Sequence, residues 1–559
     1  MKKKSNWLII GVMAVVLFLG ILGVVTLTED TGKTNNQIVA EDATATLSRL
    51  LKKVDIETVE PRKSPIMDAV EGEIDELPSI DENPLMVKGN GDLDIEIFSS
   101  PEKAGEGTDG WLNEVAKKFN AEKYEINGQT ISVSIRKVDS GLGVEYIQTG
   151  KYLPDAFSPS NELWGEMLKA KNIDIELKTE RLVGNTAGIL LKKEVYDEMV
   201  KKYGSINLRA VVEATSNNEI IMGYTNPLAS SAGLNFILTT LYNFDPQNPF
   251  SEEATEGFMS FQANVPFVAQ TTMQIRESAL GGSLDGLIIE SQSYLNLPEL
   301  RDFVFTPYGM RHDEPLYAIT ASAEKNEVID RFVQYCATEE SQKLADKYGF
   351  NAYEEYVSEL PVFSGKDIIQ AQALWKEKKD SGRSISAVFV ADISGSMEGE
   401  AINNLKSSLI NGAKYINKEN SIGLVSYNST VYKNLPIGKF DLNQRAYFQG
   451  AVEDLSASGG TATYEALLVA IDMLMEEKEN NPNAKLMVFL LSDGNPNAGL
   501  VLNEVRPVLE GLKIPVYTIG YNANIPVLEE ISSINEAAVI NANTDNVVYL
   551  LRQLFNAQM

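Results

Sequence analysis

The sequence predicts an α/β protein of more than one domain, with two long stretches of alternating strands and helices. Three observations lead there. The chain has 559 residues, too many for a single hydrophobic core. Short apolar runs alternate with amphipathic stretches of helical period from residue 91 to 350, and again from 384 to 559. In the second stretch the run 486–491 is apolar throughout, as in a mostly parallel sheet covered by helices on both faces.

Composition narrows the function before any motif is read. A formal net charge of -29 argues against nucleic acid, since nothing offsets repulsion from a phosphate backbone. Cys336 is the single cysteine, so an intrachain disulfide and a cysteine-based zinc site are both excluded. His312 is the single histidine, which removes histidine clusters. Any metal must then be held by oxygen, which points to magnesium, manganese or calcium.

Residues 1–27 read as a transmembrane signal anchor. Lys2, Lys3 and Lys4 precede an uncharged run, residues 7–27, that as a helix would span roughly 30 Å, a bilayer's hydrocarbon thickness. The three lysines before it, against Glu29 and Asp30 after it, leave the N-terminus inside. The expected location is the cell membrane, single-pass, with the bulk of the chain extracytoplasmic; a cleaved signal would export the chain equally. Residues 28–90 are acidic and broken by Pro61, Pro65, Pro78 and Pro84, and read as a flexible stalk. Within it, Leu47, Leu50, Leu51 and Val54 share one helical face, which predicts a short helix over 43–54.

Order is expected from residue 91. Leu93, Ile95 and Ile97 alternate as a strand, residues 111–120 form an amphipathic helix, and Ile131, Val133 and Ile135 alternate again. Four phrases between 91 and 350 resemble type II solute-binding proteins, the two-lobed fold of bacterial uptake systems. They are Pro154-Asp155-Ala156-Phe157-Ser158-Pro159-Ser160, the loop from Asn226-Pro227 to Ser230-Ser231-Ala232-Gly233, the strand at Gly286 to Ser291, and the helical ending with Ser341-Gln342-Lys343 and Tyr348-Gly349-Phe350. The resemblance implies a cleft for a small-molecule ligand. Ser230, Ser231 and Gly233 open a helix, where hydroxyls and free N–H groups suit an anion. Candidate ligand contacts are Ser99, Ser100, Ser158, Asn226, Ser230 and Ser231. Serine and asparagine also serve as ordinary helix caps, so each position has a purely structural reading as well.

Residues 351–383 are a connector, polar and lysine-rich from 363, with helix around Trp375. The last domain then follows a regular order. Val388, Phe389 and Val390 lie in a buried strand, helix is expected over 401–416, and a strand pair over 421–427 and 430–437. Helices over 442–454 and 464–478, strand 486–491, helix 502–512, strand 516–520 and helix 547–555 complete it. In such sheets ligands bind beyond the carboxyl ends of the strands. There the first strand delivers Asp392-Ile393-Ser394-Gly395-Ser396, whose three oxygen-bearing side chains converge if the loop curls at Gly395. A second loop carries Gly459-Gly460-Thr461, and a third Ser492-Asp493-Gly494.

Asp392, Ser394, Ser396, Thr461 and Asp493 together resemble the metal-ion-dependent adhesion site of von Willebrand factor A domains, and the likeness covers 384–559. It implies a Rossmann-like, doubly wound sheet. It also implies a divalent cation (Mg2+, Mn2+ or Ca2+) whose open coordination position takes an acidic side chain of a protein partner. Two aspartates balance the ion and neutral hydroxyls fill further positions without adding charge. An aspartyl phosphatase would want a second aspartate where Ser394 stands, and a serine hydrolase needs a G-x-S-x-G turn that the loop lacks. The reading is therefore a binding protein, not an enzyme. Its last domain engages a protein or surface polymer in adhesion, and its middle domain is a sensor or scaffold. The alternative is solute capture for an ABC transporter, with the last domain as an accessory.

Overall fold

The computed structural model describes residues 35–66, 77–265, 268–269, 272–280, 284–319, 321–358, 360–521, 523–535, 537, 539–542 and 547–559. The expected membrane span, residues 7–27, lies outside the described residues. Among those described, no helix is long and apolar enough to cross a membrane.

The C-terminal domain is built on a seven-stranded sheet. Its order is Ile56–Thr58, Val431–Lys439, Ser421–Tyr427, Ile385–Asp392, Lys485–Ser492, Val516–Tyr521 and Val539–Ala542. The last five run parallel, while Val431–Lys439 is antiparallel to Ser421–Tyr427. The central strand shows why its sequence is apolar throughout. Ile385, Ala387, Phe389 and Ala391 enter one core and Val388 and Val390 the other, so both sides of the pleat are buried. Leu551, Leu554 and Phe555 of the helix Val547–Gln558 pack into the first core, and Leu467 and Ile471 of Thr463–Asn480 into the second.

One strand of this sheet comes from the segment read as a stalk, and that reading is corrected here. The helix Asn35–Leu51 buries Ala43, Leu47 and Leu50, the two leucines joining the second core. It lies against the helix Leu502–Leu512, where a Cβ on Gly511 would come within 2.4 Å of the Ala43 Cβ. The strand Ile56–Thr58 then pairs in parallel with Val431–Lys439. Farther on, Arg62 bonds Asp454 at 2.9 Å, and the Ser64 hydroxyl donates to Glu453 at 2.8 Å. The acidic, proline-broken composition was a poor guide because the apolar face of the helix finds its cover on a domain more than 300 residues downstream.

The middle domain has two lobes. The first sheet runs Leu85–Val87, Gln129–Lys137, Leu93–Ser99, Ala156–Ser158, Leu316–Ile319 and Ile175–Thr179. The second runs Val268–Ala269, Met222–Thr225, Gly286–Glu290, Thr186–Lys192 and Phe303–Arg311. The chain crosses from the first lobe to the second before Thr186 and returns after Arg311. The connector is also more than a link. Its helix Gly365–Lys378 buries Ile368, Ala371 and Trp375. It packs on Leu163–Ala170 of the first lobe and Ser231–Phe244 of the second. The Trp375 indole donates to the Tyr224 hydroxyl at 2.8 Å and Gln372 to the Pro227 carbonyl at 2.9 Å. One continuous core takes Phe98 and Phe157 from one lobe and Ile189 and Tyr224 from the other.

Candidate metal centre and lobe interface

The five predicted residues stand on three loops at the carboxyl edge of the C-terminal sheet. Asp392, fully buried, ends the central strand. One of its oxygens accepts from the Ser394 backbone N–H at 2.8 Å. The other accepts from the Ser492 hydroxyl at 2.6 Å and the Tyr427 hydroxyl at 3.2 Å. The first loop curls as the D-x-S-x-S spacing requires, leaving the Ser394 and Ser396 hydroxyls 3.1 Å apart. It is tied to the second loop by the Gly395 N–H on the Gly459 carbonyl at 3.0 Å and the Ser458 N–H on the Ile393 carbonyl at 2.8 Å. Gly459 makes that approach with φ +79, a conformation costly for other residues. The second loop joins the third through Asn497, whose side-chain carbonyl accepts from the Thr461 N–H at 3.0 Å and whose amide donates to the Thr461 hydroxyl at 3.3 Å.

Two observations bear on whether this set suits a cation. The Asp493 Oδ1 is buried and finds no donor among the described residues. Burial, reinforced by the charge of Asp493, holds the Asp392 carboxyl above its ordinary range. The loops thus concentrate negative charge with hydroxyls beside it, which is the chemistry of a hard divalent ion. Among the described residues no cluster of three His, Cys, Asp or Glu side chains could hold a metal.

Sequence reasoning missed three supporting residues: Tyr427, Ser492 and Asn497. The first two were within reach. Tyr427 pairs in register with Asp392 across parallel strands, and Ser492 precedes Asp493 on the next strand. Asn497 had no comparable signal.

In the middle domain, Ser99 and Ser158 are paired at the ends of adjacent parallel strands, and Ser100 follows directly; all three are fully buried. The Ser99 and Ser158 hydroxyls find no protein partner. From the second lobe, the Ser231 hydroxyl accepts from the Trp164 indole at 2.7 Å, while the Ala229 carbonyl accepts from the Gly141 N–H at 3.3 Å. Ser230 accepts from Thr225 at 2.8 Å, and the Asn226 side chain caps its own turn through the Leu228 N–H at 2.9 Å. The lobes are in contact through these groups.

The charged members of this interface were not foreseen. The Lys103 ammonium, 0% exposed, pairs with the equally buried Glu314 carboxylate and bonds the Ser100 hydroxyl at 2.6 Å and the Ser158 carbonyl at 3.2 Å. Glu314 stands on the returning crossover and accepts from Asn185, on the outgoing one, at 3.2 Å. Burial, together with the nearby Glu102 charge, pushes the Glu314 carboxyl well above its ordinary range. His312 accepts from Asn235 at 3.1 Å and Asn161 at 3.3 Å through Nε2, which places its proton on Nδ1, 3.5 Å from Glu290. A lysine three residues beyond Ser-Ser at a strand end was the available signal for Lys103.

Comparison with known proteins agrees with this division of the chain. Residues 387–556 match the family model of the von Willebrand factor type A domain, and residues 104–351 that of the bacterial extracellular solute-binding protein. The inter-alpha-trypsin inhibitor heavy chain H1 of Mesocricetus auratus is 28% identical over 158 residues, which are 26% of this chain and 17% of that protein. The chain thus spans less than a fifth of the length of such curated relatives. Among solved structures, the von Willebrand factor type A protein from Catenulispora acidiphila is 19% identical, with TM-score 0.29 over 31% of this chain and 42% of its own. A periplasmic thiamin binding protein is 12% identical, with TM-score 0.41 over 53% of this chain and 99% of its own. The chain thus matches, in order, a bacterial extracellular solute-binding family model and a von Willebrand factor type A family model.

Proposed function

We propose that the C-terminal domain holds a divalent cation (Mg2+, Mn2+ or Ca2+) through Asp392, Ser394, Ser396, Thr461 and Asp493, and that this site engages an acidic group of a protein or surface polymer. The observation that carries the reading is the buried, unpartnered Oδ1 of Asp493 beside the buried Asp392 carboxyl. A bound cation would balance the two carboxylates, with the three hydroxyls as neutral donors. The protein acts as a binding protein and not an enzyme, held outside the cytoplasm by residues 7–27. The middle domain serves as a scaffold, because the Gly365–Lys378 helix packs on both lobes.

Capture of a surface partner on immobilised full-length protein, with and without chelator, tests the proposal. Capture should require the metal and be lost in Asp392→Ala. Equal capture in chelator would defeat it. A small molecule that copurifies in the middle domain and raises its melting temperature would instead favour solute capture for a transporter.

A further inference from the structure

The middle and C-terminal domains meet around a pocket of about 390 Å³ that none of the readings above uses. Among the described residues lining it, three are cationic, Lys379, Arg383 and Lys485, against one carboxylate, Asp380. That balance is unusual in a chain of net charge -29. Asp380 is already engaged by two of the three, Lys379 at 3.1 Å and Lys485 at 3.6 Å. Arg383 spends one terminal nitrogen on the Ala263 carbonyl at 2.8 Å, while its buried Nε has no acceptor among the described residues. Neutral polar groups complete the wall. Gln558 bonds the Val268 carbonyl at 2.8 Å and accepts from the Tyr517 hydroxyl at 2.9 Å.

We infer that this pocket is a binding site for a small multiply charged anion of the phosphate or phosphate-monoester class, held jointly by both domains. The charge count leaves two cations unbalanced, which a phosphoryl dianion would neutralise. Its oxygens suit the open Arg383 edge and a charge-assisted bond from Lys485. The low-dielectric wall supports the same assignment, since burial pushes the Lys485 ammonium down to about 8, with Arg383 and Lys379 adding to the effect and Asp380 opposing it. An anion would restore that charge. Its ligands come from both sides of the domain junction: Arg383 precedes the central strand of the C-terminal sheet, Lys485 begins the neighbouring strand, and the second lobe of the middle domain supplies the opposite wall.

Calorimetric titration of the full chain in chelator, so that no metal contributes, tests the inference with two probes, inorganic phosphate and AMP. One site per chain is expected for at least one probe. Equal affinities assign the site to the phosphate group alone, and tighter AMP binding to a nucleotide. Arg383→Gln and Lys485→Gln should each weaken binding by about tenfold. Asp380→Asn should tighten it, because the competing carboxylate is gone, a gain that damage to the fold cannot mimic. Binding of neither probe at millimolar concentration would overturn the assignment. So would affinities unchanged in all three variants, which would mean an adventitious ion only.

Discussion

The lobe interface and the candidate metal centre both gather buried polar groups at the carboxyl ends of parallel strands, yet they balance charge in opposite ways. At the lobe interface Glu314 meets the Lys103 ammonium, and the crossover Asn185 supplies a further donor. At the C-terminal loops Asp392 lies within the influence of the Asp493 charge and is met by hydroxyls and a backbone N–H, with no cationic side chain paired to either among the described residues. The difference teaches how to read a buried carboxylate. One that the chain neutralises itself is part of the framework. One that it leaves uncompensated points to a ligand from outside.

The largest expected effect breaks the first half of that comparison. Lys103→Met should destabilise the middle domain by about 3–5 kcal/mol, because it leaves Glu314 and the neighbouring Glu102 without their shared cation, and adding Glu314→Gln should recover part of the loss. Chemical denaturation of the two variants measures both. A loss below about 1 kcal/mol in the single variant would mean that water reaches the pair, and would favour an open solute cleft.

The second prediction concerns the uncompensated half. Magnesium, manganese or calcium should stabilise the chain by about 2.7 kcal/mol at a hundredfold excess over the dissociation constant, with chelator reversing the gain. Asp392→Ala and Asp493→Ala should each abolish the response. Calorimetry showing no shift with any of the three ions would remove the metal from the account.

A smaller effect follows from the direction of the Asp392 shift. Because the folded state holds that proton above the ordinary aspartate value of about 3.9, the stabilising contribution is complete below that pH. It is lost as pH rises through the folded-state pKa. Metal-free protein at neutral pH therefore carries an unfavourable carboxylate, and Asp392→Asn should melt higher than wild type there. The gap should close in acid below about pH 4, and melting curves across pH decide it. The smallest effect is Thr461→Ala, which should weaken metal affinity by about 1 kcal/mol, since water can replace a neutral hydroxyl.

Sequence period and loop spacing carried much of the C-terminal fold. Residues 502–512 were expected as helix and Leu502–Leu512 is one; 486–491 was expected as strand and Lys485–Ser492 contains it. The three loops were legible because each follows a strand or opens a helix, where chain order alone sets position. What escaped depends on contacts between distant segments. The edge strand Ile56–Thr58 is three residues long and exposed, and only its pairing with Val431–Lys439 makes it a strand. The Ile525–Ser533 helix was missed as well, a short element beginning at a proline-containing turn. Lys103 looks like any helix-start lysine until Glu314, more than 200 residues away, comes to lie against it. Local pattern reports period and turn chemistry, and it is silent on which distant side chain will supply a counter-charge.

The docked N-terminal segment also fixes how the molecule would carry mechanical load. The helix Asn35–Leu51 and strand Ile56–Thr58 belong physically to the sheet that bears the three loops, although the whole middle domain intervenes in sequence. A pull applied upstream of Asn35 and resisted at Asp392 passes from that helix and edge strand across two strands, Val431–Lys439 and Ser421–Tyr427, to the central one. Tension would first load the helix Asn35–Leu51, held by the buried Ala43, Leu47 and Leu50, and then the edge strand, whose three paired residues run along Val431–Lys439.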